Sequence, residues 1–182
     1  MSTAPTVAQN ALWQELNNKF VMLFLEGQYS EAAKVAEDAL KIAEKSFDPD
    51  HPDVATSLNN LASVYYAQRR YAEAEPLHKR SLVIREKVRG PNHADVAQSL
   101  NNLAELYRVQ GKYAEAEPLY ERALAIYEKV LGPNNTEVAI VCENMAACYK
   151  KVGKEKEAEE LEARAREIRS RRYDKRGKRR IF

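Results

Sequence analysis

Apolar side chains in residues 51–92 fall into two stretches with helical spacing. The first stretch places its apolar residues on one helical face: Val54, Leu58, Leu61, Ala62 and Tyr65. The second keeps apolar or small residues at comparable spacing: Ala74, Leu77, Ser81, Leu82, Ile84 and Val88. The segment 68–70 separates the two stretches, and Gly90-Pro91-Asn92 follows the second. This pattern predicts an antiparallel pair of helices joined by a short turn.

The helix pair recurs along the chain with a period of 42 residues. Residues 51–92 and 93–134 are identical at 28 of 42 positions. The same offset places Leu16-Asn17-Asn18 before them and Cys142-Glu143-Asn144 after them. A chain built this way buries the apolar face of each unit only against its neighbours, which defines a solenoid. We therefore expect an all-α solenoid of about four antiparallel helix pairs.

The period also predicts the limits of each unit. We expect an N-terminal extension at residues 1–8, a degenerate repeat at 9–50, repeats at 51–92 and 93–134, a terminal repeat with a capping helix at 135–172, and a basic tail at 173–182. The capping role follows from the last helix, in which Ala158, Leu161, Ala165 and Ile168 form a single apolar stripe.

Small and aromatic residues recur at fixed places in each unit. The pattern Leu-x-x-Leu-Ala-x-x-Tyr occurs at 58–65 and 100–107, and a later Ala-x3-aromatic pattern occurs as Ala116 and Tyr120, with His78 in the aromatic place after Ala74. This combination resembles the tetratricopeptide repeat, whereas HEAT and armadillo repeats of similar period lack this spacing. The resemblance implies a right-handed superhelical solenoid.

The 42-residue length is similar to the kinesin light chain type of this repeat. The matching segments are Ser-Leu-Asn-Asn-Leu-Ala at 57–62 and 99–104, Tyr-Ala-Glu-Ala-Glu-Pro-Leu at 71–77 and 113–119, and Gly-Pro-Asn-His at 90–93. The resemblance implies a protein–protein interaction scaffold whose first helices line a concave groove. It also implies that the ligand is a protein or peptide, with an acidic–aromatic segment as one candidate.

The residues opposite the core stripe of the first helices are the candidate groove contacts. They are Asn17, Thr56, Asn59, Ser63, Tyr66, Gln98, Asn101, Asn102, Glu105, Arg108, Glu143 and Lys150. Asparagine is a poor helix former, so its recurrence in mid-helix needs a reason. One interpretation is that the amides bind a peptide backbone while Arg108 and Lys150 attract acidic side chains. The other is that Asn60, Asn102 and Asn144 connect adjacent repeats.

The first predicted helix contains more apolar residues than one buried face needs. Trp13, Phe20 and Phe24 belong to this set, and Lys19 replaces the leucine of the other repeats. The helix either packs irregularly or exposes an apolar patch for self-association. A homodimer is one candidate consequence.

Charge is concentrated at the C-terminus. Residues 164–182 contain ten Lys or Arg residues against Glu167 and Asp174, although the whole chain has a net charge of +2. The basic tail could bind nucleic acid or an anionic surface, fold back onto the acidic remainder of the chain, or act as a solubilising helix end.

Catalytic chemistry has no signature in the sequence. We find no phosphate loop, no nucleophile elbow, no paired-cysteine motif and no metal-ligand spacing, and we therefore expect no enzyme activity, cofactor, metal or small-molecule substrate. His51 and His93 occupy equivalent positions at predicted helix starts. The sequence shows neither a secretory signal nor an apolar run long enough for a transmembrane segment, and Cys142 and Cys148 are not positioned to pair locally, so we expect a cytoplasmic protein.

Overall fold

The computed structural model describes the backbone of residues 6–177 and the side chains of residues 6–171. This part of the chain forms eight α-helices and no β-strand. The helices are α1 (Val7–Leu25), α2 (Tyr29–Ser46), α3 (Pro52–Ala67), α4 (Tyr71–Arg89), α5 (Ala94–Val109), α6 (Tyr113–Leu131), α7 (Thr136–Lys151) and α8 (Glu155–Gly177). The chain divides into two compact units, Met1–Pro91 and Asn92–Phe182, each of which contains two helix pairs. The all-α repeat fold predicted from the sequence is confirmed.

The first helix of each of the last three pairs begins in the same way. His51, His93 and Asn135 are the N-cap residues, and each side chain accepts a hydrogen bond from the backbone N–H two residues later, at 3.2, 3.1 and 2.9 Å. This contact satisfies one of the backbone donors that every helix start leaves without a partner. The recurring histidines therefore start helices, as their positions in the sequence predict.

A left-handed residue ends the first helix of every pair. Gly27, Gly111 and Gly153 have φ angles of 74°, 77° and 77°, and Arg69 takes the equivalent position at 62°. In the third pair, the N–H of Lys112 donates to the carbonyl of Tyr107 at 2.9 Å, which closes the helix end. This left-handed conformation favours glycine, because a side chain raises its energy. Arg69 therefore occupies a strained backbone position.

Replacing Arg69 by glycine is expected to raise the free energy of unfolding by about 1 kcal/mol, since it removes the left-handed strain. The reverse change, Gly111→Arg, is the matched control. A Cβ at Gly111 would meet nothing within 4 Å, so only the backbone conformation opposes the substitution. Urea unfolding of both variants should give shifts of opposite sign. Equal shifts of the same sign would show that side-chain contacts, not the left-handed backbone, control stability here.

Alanine residues mark the crossing of the two helices in each pair. Their side chains are fully buried in the first helices at Ala62, Ala104 and Ala146, and in the second helices at Ala32, Ala74, Ala116 and Ala158. A methyl group lets two helix backbones approach closely, and a larger side chain would overpack the contact. The core of the first unit surrounds these crossings with two apolar clusters, one around Trp13 and Leu58 and one around Phe20 and Leu61.

Candidate functional site

In the second unit, the candidate residues form a surface that we call the α5–α7 face. Its members are Gln98, Asn101, Asn102, Glu105 and Arg108 of α5 and Glu143 and Lys150 of α7. Helical spacing places them on the side of each helix away from the buried stripe that includes Leu100, Ala104 and Ala146. Gln98, Glu143 and Lys150 are exposed, and the other four are half-buried.

An amide–amide hydrogen bond joins the two helices of this face. Asn144 of α7 donates its Nδ2 to Oδ1 of Asn101 on α5 at 3.1 Å. The equivalent contact occurs in the first unit, where Nδ2 of Asn60 donates to Oδ1 of Asn17 at 2.6 Å. Asn60 and Asn144 therefore connect adjacent repeats, which was the second interpretation of the paired asparagines.

The same contact fixes the orientation of the accepting amide. Because Oδ1 of Asn101 is occupied, its Nδ2 group points away from Asn144 and has no hydrogen-bond partner among the described residues. The Nδ2 group of Asn17 likewise has no hydrogen-bond partner among the described residues, because its Oδ1 accepts from Asn60. Two half-buried amides, one in each unit, thus hold a donor ready for a group outside the chain.

Arg108 is held in place by a short network of polar contacts. Its Nε and Nη2 donate to the two carboxylate oxygens of Glu105 at 2.7 and 2.6 Å. Glu105 Oε2 also accepts the hydroxyl of Tyr120 at 2.8 Å. Tyr120 is fully buried, and its burial, followed by the neighbouring Glu105 carboxylate, raises the pKa of its hydroxyl. The guanidinium of Arg108 is therefore ordered and electrically compensated.

The charged residues of α7 are compensated by the last helix. Glu143 accepts two hydrogen bonds of 2.6 Å from Arg169, and Lys150 donates to Glu162 at 2.6 Å. Hydrogen bonding to Arg169 lowers the pKa of Glu143, and hydrogen bonding to Glu162 raises the pKa of Lys150. Both candidate residues are thus engaged by α8, and the α5–α7 face presents no strong net charge of either sign from these pairs.

The corresponding residues of the first unit form the α1–α3 face: Asn17, Phe24, Thr56, Asn59, Ser63 and Tyr66. The hydroxyls of Thr56 and Ser63 donate to carbonyls four residues earlier in their own helix. Asn59 is buried, with 8% of its surface exposed, so a ligand reaches it less readily than Asn17. Phe24 and Tyr66 are half-buried and give this face an aromatic character.

The apolar residues of α1 divide into a buried and an exposed group. Trp13 is buried and donates its Nε1–H to Ser57 at 2.8 Å, and Phe20 is buried among residues of α2 and α3. Phe24 lies 5.5 Å from the ring centres of Phe20 and Tyr29. The larger apolar side chains that α1 exposes are Val7, Leu12, Val21, Met22 and Leu25. The internal core therefore takes up Trp13 and Phe20, the first two of the candidate self-association residues.

Three arginines of α8 bind residues of other helices or loops. Arg164 pairs with Glu128 and Arg169 with Glu143, each at 2.6 Å, and Arg171 contacts Glu167 and Asn134. The backbone of the tail is helical to Gly177, whereas its side chains from Arg172 onward and all of residues 178–182 lie outside the described residues.

The Tyr120–Glu105–Arg108 network was not predicted, although the sequence contains a signal for it. Positions 63, 66 and 78 hold Ser, Tyr and His, whereas the equivalent positions 105, 108 and 120 hold Glu, Arg and Tyr. The two repeats are otherwise closely similar, so three differences that come together in space indicate one coupled contact. Comparing the repeats for such coupled differences would have found it.

Groups with chemical reactivity are sparse in the described residues. No cluster of three or more His, Cys, Asp or Glu side chains that could hold a metal occurs between residues 6 and 171. Cys142 and Cys148 are buried and free, and their burial raises the pKa of each thiol. Among the described helices, none has the length and apolarity needed to cross a bilayer.

Comparison with known families agrees with this architecture. The tetratricopeptide repeat family model matches residues 16–87, 53–129 and 95–171, which together cover most of the chain. The chain belongs to the tetratricopeptide repeat family. Members of this family generally act as protein-interaction scaffolds rather than enzymes. A search of curated proteins finds no match.

Solved structures place the chain among repeats of the kinesin light chain type. The crystal structure of BtubC (BKLC) from P. vanneervenii is 28% identical with a TM-score of 0.81, and the match covers 91% of this chain and 66% of that one. Two structures of a putative kinesin light chain with nearly identical TPR-like repeats from Podosopora anserina are 26% identical, with TM-scores of 0.73 and 0.69. These matches cover 89% and 87% of this chain and 76% and 75% of those. The chain thus spans slightly less than two thirds of the length of BtubC.

Proposed function

We propose that this protein is a non-enzymatic scaffold that binds an extended peptide segment of a partner on the α5–α7 face. The observation that carries the proposal is the orientation of Asn101. Its Oδ1 is held by Asn144, and its Nδ2 group keeps both hydrogens for a ligand. An extended peptide offers one backbone carbonyl per residue, which is the acceptor that such an amide fits.

The position of Asn101 strengthens this proposal. The residue is half-buried, so a hydrogen bond to a ligand would form at a site partly shielded from water. Gln98 lies one helical turn earlier on the same helix and is exposed, which places a second amide beside the first. Two neighbouring amides recognise a peptide backbone with little dependence on side chains, which suits a scaffold.

The charge pairs of the α5–α7 face affect how strongly it can bind acidic side chains of a ligand. An acidic side chain would compete with Glu105 for Arg108 and with Glu162 for Lys150. We therefore expect acidic residues to add modestly to affinity, with backbone contacts supplying the larger part. In the first unit, Phe24 and Tyr66 make the α1–α3 face a second surface, suited to an aromatic or aliphatic side chain.

Asn101→Ala is expected to weaken peptide binding about tenfold, because a buried acceptor of the peptide loses its partner. A peptide selected on the wild-type protein from a displayed random library would serve as the labelled probe in a fluorescence-anisotropy titration. Asn144→Ala should cause a smaller loss, since it frees the amide of Asn101 to rotate without removing it. Asn18→Ala is the matched control, because Asn18 is an exposed asparagine of α1 outside both faces.

Asn101→Ala could bind the peptide as tightly as wild type while a variant of the α1–α3 face, such as Tyr66→Ala, loses binding. This result would show that the peptide binds the first unit and not the α5–α7 face. Binding that survives both changes would refute the proposal. Circular dichroism of each variant separates a lost contact from a lost fold.

We also propose that the protein works in the cytoplasm. Its two cysteines are buried and unpaired, a condition that reducing compartments maintain. The described arginines of α8 have carboxylate partners, and this pairing gives no support to a nucleic-acid site on that part of the chain.

A further inference from the structure

The outer side of α1 carries a regular stripe of exposed residues, which we call the α1 stripe. Its members are Ala8, Leu12, Glu15, Lys19, Met22 and Glu26, separated by alternating steps of four and three residues. This spacing is that of a coiled-coil seam, in which every member faces the same way. Leu12 and Met22 are 43% and 64% exposed.

The equivalent stripe of α3 is buried. Val54, Ser57, Leu61 and Val64 correspond to Leu12, Glu15, Lys19 and Met22 in the 42-residue period, and each is at most 5% exposed. Ser57 accepts the hydrogen bond from Trp13 of the preceding pair, and Leu61 and Val64 pack in the cluster around Phe20. The residues of α3 that are equivalent to the α1 stripe are thus covered by the preceding helix pair, α1 and α2.

The α1 stripe differs from its buried counterparts in its charges. Glu15 and Lys19 replace uncharged residues, and neither has an ion-pair partner among residues 6–171. Burying either charge against apolar groups would have a high cost in free energy. These charges therefore favour a partner that supplies their complements.

A second copy of α1 supplies both complements at once. If two α1 helices pack antiparallel about residue 17, Glu15 of each copy faces Lys19 of the other, because both positions lie two residues from the centre. Leu12 and Met22 each lie five residues from the centre and also face each other. Every contact is made twice, as a two-fold interface requires.

We propose that two copies of this protein associate through the α1 stripe in an antiparallel, two-fold symmetric pair. Leu12 and Met22 supply the buried apolar surface, and the two Glu15–Lys19 pairs set the register and the orientation. One helix per partner is a small interface, so the dimer forms and dissociates with concentration. The α1–α3 face, with Asn17 and Phe24, lies on another side of α1 and stays open to a peptide.

Sedimentation velocity over a hundredfold range of concentration tests this proposal. The wild-type mass should rise from the 20.7 kDa monomer toward twice that value. Glu15→Lys and Lys19→Glu should each weaken association at least tenfold, because like charges then face each other. Mixing the two single variants should restore association, since one chain then carries two positive charges and the other two negative charges.

The swapped double variant Glu15→Lys/Lys19→Glu should also dimerise as the wild type does. Lys34→Glu reverses an exposed charge of α2 outside the stripe and should change nothing. A wild type that stays monomeric throughout the range overturns the proposal. So does a mixture of the two single variants that fails to associate when each is shown to be folded by circular dichroism.

Discussion

Replacing Tyr120 by alanine is expected to lower the free energy of unfolding by about 3–5 kcal/mol, as for other buried aromatic side chains. Tyr120 is fully buried in the second unit and fills the place between α5 and α6 where its hydroxyl reaches Glu105. Its removal would leave a cavity and release one partner of the network that orders Arg108. Urea unfolding followed by circular dichroism measures the change.

Tyr120→Phe separates the packing of the buried ring from the hydrogen bond that the hydroxyl donates to Glu105. It keeps the ring and removes only the hydroxyl, so we expect a loss of about 1 kcal/mol, the usual net worth of one hydrogen bond. Tyr66→Ala is a comparison at a half-buried tyrosine and should cost clearly less than Tyr120→Ala. A loss of less than about 1 kcal/mol in Tyr120→Ala would contradict the packing described for the second unit.

Acidification from neutral pH to about pH 4 is expected to remove roughly 3 kcal/mol of stability through His78 alone. The imidazole is buried in the first unit, and its Nδ1 has no hydrogen-bond partner among the described residues. Burial, and to a smaller degree the positive charge of Arg85, lowers the pKa of His78 to about 4 from 6.5. The unfolded chain therefore takes up a proton near pH 6.5, whereas the folded protein does not do so until about pH 4.

The sign of this effect follows from the two pKa values. Stability is lost as the pH falls through the window between them, because only the unfolded state gains a proton there. His78→Phe removes the titrating group and fills the same space, so the variant should lose about 3 kcal/mol less than wild type over this range. Other groups titrate in both proteins and cancel in the difference. An identical pH dependence in the two proteins would show that the pKa of His78 is the same in the folded and the unfolded chain.

Much of the fold follows from the sequence because it depends on local pattern. The helix pairs repeat every 42 residues, and the last three pairs share a histidine or asparagine N-cap on their first helix, so each repeat supports the interpretation of the next. The burial of Ala62, Ala104 and Ala146 follows in the same way, because only a small residue fits where helices cross. Arg69 shows the limit of this reasoning, since its left-handed backbone is fixed by its place in the repeat and not by its residue type.

The candidate site was predictable only in part. The sequence places Asn101 and Arg108 on one face of a helix, but it does not say which groups bind them inside the chain. The structure pairs Asn101 with Asn144, Arg108 with Glu105 and Lys150 with Glu162. These contacts join residues from different helices or from adjacent turns, and their choice depends on side-chain reach and rotamer. Arg108 and Lys150, which one interpretation of the sequence assigned to acidic side chains of a ligand, are thus already paired within the chain.

The α1 stripe becomes noticeable only when its residues are compared with the equivalent residues of another repeat. No single residue in it is unusual, since exposed leucine and methionine residues occur on most proteins. The signal arises from the comparison with α3, where the equivalent positions are buried. In a repeat protein, each position can be compared with the equivalent positions of the other repeats. A position whose burial or charge differs from its equivalents indicates a surface that can have another function.

The measurement that tests the proposed function most directly is an NMR titration of the labelled protein with a peptide selected on it. The side-chain amide signals of Asn101 and Gln98 report on the α5–α7 face without any substitution. We predict that the Nδ2 signals of Asn101 shift with peptide concentration, while those of Asn18 do not. Shifts confined to other parts of the chain, with Asn101 unchanged at saturation, would contradict the assignment of the binding site to this face.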